Sequence, residues 1–441
     1  MHQTLFVIPN FVFEGYFLNG LISPLLAVWL VIAAGIFLWA WLGSKDGSAE
    51  AMGLLPFLLV ATAIIHFVLP NLQVSGLNPD DPTGAEVPLG LAIQGYGFFM
   101  LLGILIGVSL CVWRAHQVGL NPDRILALGF WMIITGVIGA RLFYVIQKRD
   151  QFQAESVGQF LSKLVDMTSG GLVVYGALIG GIIAAIVYLT RVGLPVLKVA
   201  DVIAPGMVAG LCLGRIGCLM NACCYGGVCE VDLPAIQFPA GSAPYVEQLA
   251  DGSLLGISRS DYLEDEAYPI VVDSVDEGSL ADRAGITGGD RAQVGIPDPK
   301  ALKAVKQDGY EFRADTLVGA MNSPGNSRIP VEDLPDWSLW THPTQIYSSI
   351  NAALLCLVLW FYYPFRRSEG EVFALMLMLY ALARFLLELI RIDEAGVLGT
   401  PFTISQMISF GAMSLGIGLF FWIRKSGQPA TDTFSGVASA S

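Results

Sequence analysis

The sequence predicts an all-α polytopic membrane protein of about nine transmembrane helices, with a small α+β insertion on its extracytoplasmic side. Three observations carry that prediction. Of the 441 residues, 54% are hydrophobic and 14% charged, and the mean hydropathy of +0.62 lies far from that of an ordinary soluble domain. Several apolar runs reach the roughly 20 residues that cross a bilayer as helix. The charge is also segregated: residues 230–336 hold 20 Asp and Glu against 8 Lys and Arg, which is −12 of the chain's net −13. The acidity therefore belongs to one soluble insertion. No basic patch is present on which phosphates could release counterions, so nucleic-acid binding has no support.

Taken in order, residues 1–18 mix aromatic and polar side chains without a basic start, and no cleaved signal peptide is read there. Apolar runs follow at 18–42 and 52–69, joined by the polar 44–50. Residues 76–88, rich in Pro, Gly and Asp, read as a loop before the runs at 89–113 and 125–146. The polar, amphipathic 147–168 is expected to lie along the interface. Further runs at 170–189 and 202–220 precede the insertion, and those at 343–363, 372–390 and 404–423 follow it. The expected organisation is an N-terminal membrane segment of two helices over 1–72 and a core in two parts, 89–229 and 341–424. The insertion at 230–340 interrupts that core, and a disordered tail covers 425–441.

Basic residues in short loops set the orientation. If the runs alternate, Arg114, Arg124, Arg191, Lys198, Arg366, Arg367, Arg424 and Lys425 fall on one side, which is then cytoplasmic. Lys148, Arg149 and Lys163 are minor violations. The N-terminus and the insertion come out on the outer side.

The most informative stretch is Gly214-Arg215-Ile216-Gly217-Cys218-Leu219-Met220-Asn221-Ala222-Cys223-Cys224-Tyr225-Gly226. It puts an arginine inside an apolar run, then an amide, three thiols and glycines where the run meets water. A charge at the centre of a membrane helix costs about 2.5–3.5 kcal/mol on insertion scales, so it is usually there to meet a partner or an anionic ligand. The bland alternative is a helix end whose arginine snorkels to a headgroup. Arg141 and Arg384 also sit in apolar runs, and all three arginines come out near the outer face.

Cys111, Cys212 and Cys356 lie within runs as small apolar fillers. Cys218, Cys223, Cys224 and Cys229 cluster at the outer face, where a disulfide, free thiols and a metal site all remain open. The spacing matches no ordinary zinc finger, so no metal ligand set is assigned.

In the insertion, Ile270-Val271-Val272-Asp273-Ser274-Val275 alternates like a strand. Glu277-Gly278-Ser279-Leu280-Ala281, Arg283-Ala284-Gly285-Ile286 and Gly288-Gly289-Asp290 follow. The order resembles the start of a PDZ domain, which binds an extended peptide by adding it to a sheet edge. The alternative is a small α+β module that only fills the outer face.

Six further blocks occur in order across the last seven runs. They are Gly95-Tyr96-Gly97; Gly139-Ala140-Arg141; Gly170-Gly171-Leu172 with Tyr175-Gly176; Gly214-Arg215-Ile216-Gly217 with Asn221 and Gly226; His342-Pro343-Thr344-Gln345-Ile346-Tyr347; and Tyr380 with Arg384, Phe385, Glu388 and Arg391. Together they resemble the prolipoprotein diacylglyceryl transferase family, whose members lie in the bacterial inner membrane with the site facing outward. The first two runs and the insertion lie outside the resemblance.

The resemblance implies transfer of a diacylglyceryl group from phosphatidylglycerol to the lipobox cysteine of a prolipoprotein, forming a thioether and releasing glycerol phosphate. It implies no cofactor; the partners are phosphatidylglycerol, lipobox peptides and membrane lipid. Arg215, Arg384, Tyr175, Tyr96 and His342 become candidate catalytic residues. Arg215, Arg141, Arg384, Asn221 and Gly226 become candidates for binding phosphatidylglycerol. The chemistry fits: a phosphate ester leaving group needs fixed cations in a shielded site, and arginine offers phosphate a planar two-pronged donor. This chain departs from the family pattern at Tyr175, where histidine is common, at Cys218 and Cys223, which replace an asparagine and a glutamate, and at Ser348, which stands where a glutamate is expected. Two other readings stay open: a phospholipid-dependent transferase with another acceptor, and a non-catalytic scaffold whose PDZ-like module docks peptides.

Overall fold

The computed structural model describes residues 4–9, 23–43, 58–59, 62, 65–66, 74–77, 86–152, 164, 171, 173–229, 234–258, 270–294, 318–320, 328–329, 333–391, 402–426 and 429–430. The chain divides into two compact units, His2–Phe98 and Phe99–Ser441.

The first unit holds strands β1 (Thr4–Pro9), β2 (Val74–Leu77) and β3 (Glu86–Gln94), and helix α1 (Pro24–Gly43). The strands form an antiparallel sheet in the order β1-β3-β2, with Phe6 opposite Ile93 and Gly76 opposite Val87. This corrects the expectation of a helical run from 89: residues 86–94 are strand, and helix starts only at Gly95. A short apolar run has no decisive period, and Pro88 and Gly90 disfavour helix where a partner strand is available. Helix α1 is 20 residues long and carries no charged side chain. Within it Trp29 Nε1 donates to Thr62 Oγ1 at 2.9 Å. Most of the expected run at 52–69 lies outside the described residues, as do most of 147–168 and of the tail.

The second unit continues α2 (Gly95–Gln117) and adds α3 (Pro122–Gln147), α4 (Val174–Val192) and α5 (Val196–Met220). The insertion contributes α6 (Ala243–Ala250) and α7 (Leu280–Arg283), and the chain ends with α8 (Thr344–Tyr362), α9 (Glu371–Glu388) and α10 (Ile404–Ser426). Among the described residues six helices are long and apolar enough to cross a membrane, not the nine expected: α2, α3, α4, α5, α8 with its extension to Phe365, and α10. Helix α9 is close to them in length but carries Glu371, Arg384 and Glu388. The outward faces of the helices are apolar; Leu105, Phe130, Ile183, Leu354 and Phe421 are exposed. These features make the chain a multi-pass membrane protein.

Between apolar helices in lipid the hydrophobic effect gives little attraction, so close backbone packing must hold them together. Gly103 and Gly107 of α2 face Gly210 and Gly206 of α5; a Cβ on Gly103 or Gly107 would lie 2.8 or 2.7 Å from the facing carbonyl oxygen. Gly139 of α3 and Gly176 of α4 oppose each other in the same way. Helix α5 then packs on α8, α8 on α9, and α9 on α10.

Charge locks one end of this set. Asp201, fully buried in the first turns of α5, accepts hydrogen bonds from Gly370 N at 2.7 Å and Phe373 N at 2.9 Å. It therefore caps the start of α9 from another helix. Arg366 lies 3.4 Å from the same carboxylate and stacks 3.7 Å over the Tyr363 ring. Glu371 accepts from Tyr362 Oη at 2.8 Å, Arg367 N at 2.7 Å and Arg424 Nη2 at 2.9 Å. Arg114 lies 3.7 Å over the Trp360 ring.

The insertion has its own core of Tyr245, Leu249, Leu255, Ile257, Val272, Ala281, Ile286 and Ile329. Strands β4 (Ile257–Ser258) and β6 (Ser274–Val275) pair in it, while β5 (Ile270–Val271), β7 (Arg291–Val294), β8 (Val318–Ala320) and β9 (Arg328–Ile329) form an antiparallel sheet. Its base is shared with the helices, because Phe238 packs with Leu219, Ala222 and Tyr225.

Asp201→Ala should be severe, since it leaves Arg366 buried without its carboxylate and removes the α9 cap. Breaking one side of a buried pair costs about 3–5 kcal/mol, so the thermal unfolding midpoint in detergent should fall sharply. Asp201→Asn, which keeps an acceptor oxygen, should fall less. Equal midpoints for both variants and the parent would show that this network does not hold the fold.

Candidate functional site

The opposite end of the same helices carries the candidate site. The helices alternate in direction, as the pairing of Val173 N with Ala140 O, of Thr344 Oγ1 with Cys224 O and of Arg384 with Ser405 requires. Arg141, Tyr175, Arg215, His342 and Arg384 therefore lie toward one end.

Helix α5 ends in the residues that shape the site. Asn221 caps it, its N–H donating to Gly217 O. The chain then turns through two non-glycine left-handed residues, Ala222 at φ 53° and Cys224 at φ 58°. Such residues are uncommon, cost of order 1–3 kcal/mol each and persist only where the surroundings impose them. The surroundings here are visible. Thr344 Oγ1 donates to Cys224 O at 2.6 Å and Gln345 Nε2 to Cys223 O at 2.8 Å, both from the first turn of α8. Gly226 N donates to His342 O at 3.0 Å, His342 N to Gly227 O at 3.0 Å, and Gly227 N to Ile390 O at 3.2 Å. On the insertion side Tyr225 Oη donates to Glu247.

The tight turn gathers three thiols. The sulfur atoms of Cys218, Cys223 and Cys224 all lie within 4.8 Å of one another, and all seven cysteines are free. Hydrogen bonds from the Cys218 and Cys223 thiols hold the Cys224 thiol well below the ordinary thiol range, helped by the charges of Arg215 and Arg391 and opposed by burial. Arg215 is half-buried one turn before Cys218, and among the described residues its side chain has neither a hydrogen bond nor an ion pair.

The other arginines are engaged within the protein. Arg384 pairs with Glu388 at 2.5 Å and donates to Ser405 Oγ at 2.8 Å, while Glu388 accepts from Thr403 Oγ1 at 3.1 Å. Arg141 is buried in α3 and donates to Leu164 O at 2.9 Å and Gly171 O at 3.1 Å. It thereby fixes the segment that leads into α4 and Tyr175.

Homology adds to this geometry. The family model for prolipoprotein diacylglyceryl transferase matches residues 85–422. The chain belongs to that family. A phosphatidylglycerol–prolipoprotein diacylglyceryl transferase of Rhodopirellula baltica is 35% identical over 98% of this chain and 91% of its own length. Relatives of the same name from Clostridium tetani and Thermosynechococcus vestitus are 26% and 24% identical over 75% and 79% of this chain. The Rhodopirellula protein therefore also matches regions outside the family model, including the N-terminal segment.

The remaining candidates for the family's chemistry are distributed as follows. Tyr175 is the second residue of α4 and half-buried. His342 precedes α8 with its Nδ1 buried and unpartnered among the described residues, its ring 6.5 Å from that of Tyr347. Asn221 is exposed, and its side chain reaches the Cys223 thiol. Gly226 is buried, and a Cβ there would lie 2.8 Å from both His342 Cβ and Thr344 Cγ2. Its bareness thus serves packing of the turn against α8. Tyr96 is exposed at the second position of α2, within the N-terminal unit. Gly170 and Leu172 lie outside the described residues.

Glu388 and Gln345 stand in the family blocks but carry no expected role, and the structure sets both beside the candidate residues. The i,i+4 spacing of Arg384 and Glu388 is a readable sign of a helix-face pair, whereas the bond from Gln345 to Cys223 O spans 122 residues and has no local sign.

Gly226→Ala should overpack the turn, which typically costs about 1–3 kcal/mol. The expected result is a lower unfolding midpoint for purified protein. An unchanged midpoint would show that His342 and Thr344 can make room.

Proposed function

We propose that this protein transfers the diacylglyceryl group of phosphatidylglycerol to the thiol of a prolipoprotein's lipobox cysteine, forming a thioether and releasing glycerol phosphate. The observation that carries this reading is the family match together with the nearly full-length relatives that bear that name. Arg215 is the phosphate clamp. It stands where a membrane helix meets the cysteine turn, without a protein partner among the described residues, so its planar fork is available for the ester that leaves. Arg384 is a second clamp, aimed by Glu388 and Ser405. Arg141, spent on carbonyl oxygens, supports the site from behind. Asn221 and Gly226 shape the headgroup pocket, and Tyr175 and His342 are the groups that relay the thiol proton.

Purified protein incubated with phosphatidylglycerol and a lipobox peptide should add one diacylglyceryl mass to the peptide. Losing one preorganised donor to developing oxyanion charge costs about 10²–10³ in turnover. Arg215→Ala should show that loss, and Arg215→Lys should recover only part of it, because lysine keeps the charge but not the fork. Near-normal activity of the lysine variant would mean that the arginine merely snorkels, and near-normal activity of alanine would remove it from the mechanism.

The protein is read as lying in the bacterial inner membrane with the site and the insertion on the outer side, on the strength of the basic short loops and of family membership. The insertion, 230–340, is read as a PDZ-like module between two parts of the transferase core, supported by the strand, turn and short helix at 270–283. A cysteine introduced at Asp273→Cys should react with a membrane-impermeant maleimide in intact cells, and one at Lys425→Cys only after lysis. The reverse pattern would overturn the orientation.

A further inference from the structure

Three thiols converging on one point are either a redox pair with a spectator or a ligand set. Cys218 comes from the last turn of α5, while Cys223 and Cys224 are neighbours in sequence. In extended chain, neighbouring side chains point to opposite sides. Here the left-handed backbone at Cys224, with that at Ala222 before it, brings both sulfurs to Cys218, all within 4.8 Å. That backbone is costly and is held by Thr344, Gln345 and the His342 main chain. The strain is therefore spent on gathering sulfur. A tetrahedral zinc with Zn–S bonds of about 2.3 Å holds its sulfurs roughly 3.8 Å apart, so closure needs movements of at most about 1 Å.

From this geometry we propose that Cys218, Cys223 and Cys224 form a three-cysteine zinc site whose fourth position takes the thiol of the incoming lipobox cysteine.

Soft thiolates select zinc over the hard divalent cations. Structural zinc sites are closed by four protein ligands, whereas a site with three protein ligands keeps a position for water or substrate. Three thiolates on Zn²⁺ carry a net charge of −1, and Arg215 and Arg391 lie near enough for their charges to act on Cys224, so the centre is electrostatically compensated. The turn supplies the outer support that fixes ligand direction: Asn221 reaches Cys223, and α8 holds the carbonyls of Cys223 and Cys224.

The role in the reaction rests on the function proposed above. A thiol that binds zinc is deprotonated outright, and its proton passes to the relay groups named above. The bound thiolate's electron pair then forms the C–S bond to the glyceryl carbon. The C–O bond to phosphate breaks, and its pair leaves with glycerol phosphate beside Arg215. No oxidant or reductant is needed.

The test uses full-length protein purified in detergent through a tag that contains no histidine. Elemental analysis should give about one zinc per chain for the parent and for Cys229→Ser, whose sulfur is outside the cluster. Cys223→Ser and Cys224→Ser should retain only a trace while eluting as folded protein. Cobalt exchanged into the parent should show a sulfur-to-cobalt charge-transfer band, which a lipobox peptide shifts and the same peptide with serine at the lipobox position does not. Transfer by Cys224→Ser should fall at least about tenfold. Metal-free parent protein, a disulfide among the three cysteines by mass analysis, or a cobalt band indifferent to the peptide thiol would overturn the proposal. Full transfer by metal-free protein would overturn the zinc while leaving the proposed function intact. A peptide-responsive cobalt site with no transfer from phosphatidylglycerol would instead remove that function and keep the thiol site.

Discussion

The carboxylate of Asp201 is the point on which the helix arrangement turns. An ionised group carried into an apolar interior must find partners or unfold its surroundings. Asp201 finds two backbone N–H groups at the start of α9 and the guanidinium of Arg366 in the link from α8. One side chain thus fixes both the link after α8 and the start of α9 against α5. Glu371 extends the lock to α10 through Arg424. With that end fixed, the far end of α5 must emerge against the first turn of α8 and the last turn of α9. There the cysteine turn is built.

Glycine contacts complete the frame. Helices α2 and α5 meet through Gly103, Gly107, Gly206 and Gly210, and α3 and α4 through Gly139 and Gly176. Packing of this kind brings carbonyl oxygens against the backbone of the neighbouring helix, where dispersion acts over many atoms. Arg215 is thereby presented by a packed helix and not by a loop.

The helices carry two kinds of cation. Arg114, Arg141 and Arg366 donate to backbone carbonyls of their own chain, and Arg366 also meets a carboxylate. They are structural. Arg215 faces the thiol cluster at the end of α5, and Arg384 is oriented by Glu388 and Ser405. Composition cannot make this distinction, since all five arginines lie in or beside apolar runs. What distinguishes them is which acceptors the neighbouring helices bring within reach.

Much was legible in the sequence alone. The long apolar runs gave the membrane class and the ordered motif blocks gave the family, because each depends on local composition or on spacing within one element. The paired Gly103/Gly107 and Gly206/Gly210 are small residues four apart in apolar helices, a spacing the sequence itself shows. The start of α2 was misread because a short apolar run serves strand and helix equally, and only pairing with β1 and β2 selects strand for 86–94. Helix α9 carries Glu371, Arg384 and Glu388, and hydropathy does not see that Arg424, Ser405 and Thr403 of other elements partner them. The convergence of Cys218, Cys223 and Cys224 was decided by tertiary structure alone. It requires left-handed backbone at Ala222 and Cys224, and that conformation is stable only because α8, more than a hundred residues later, supplies the hydrogen bonds that hold it.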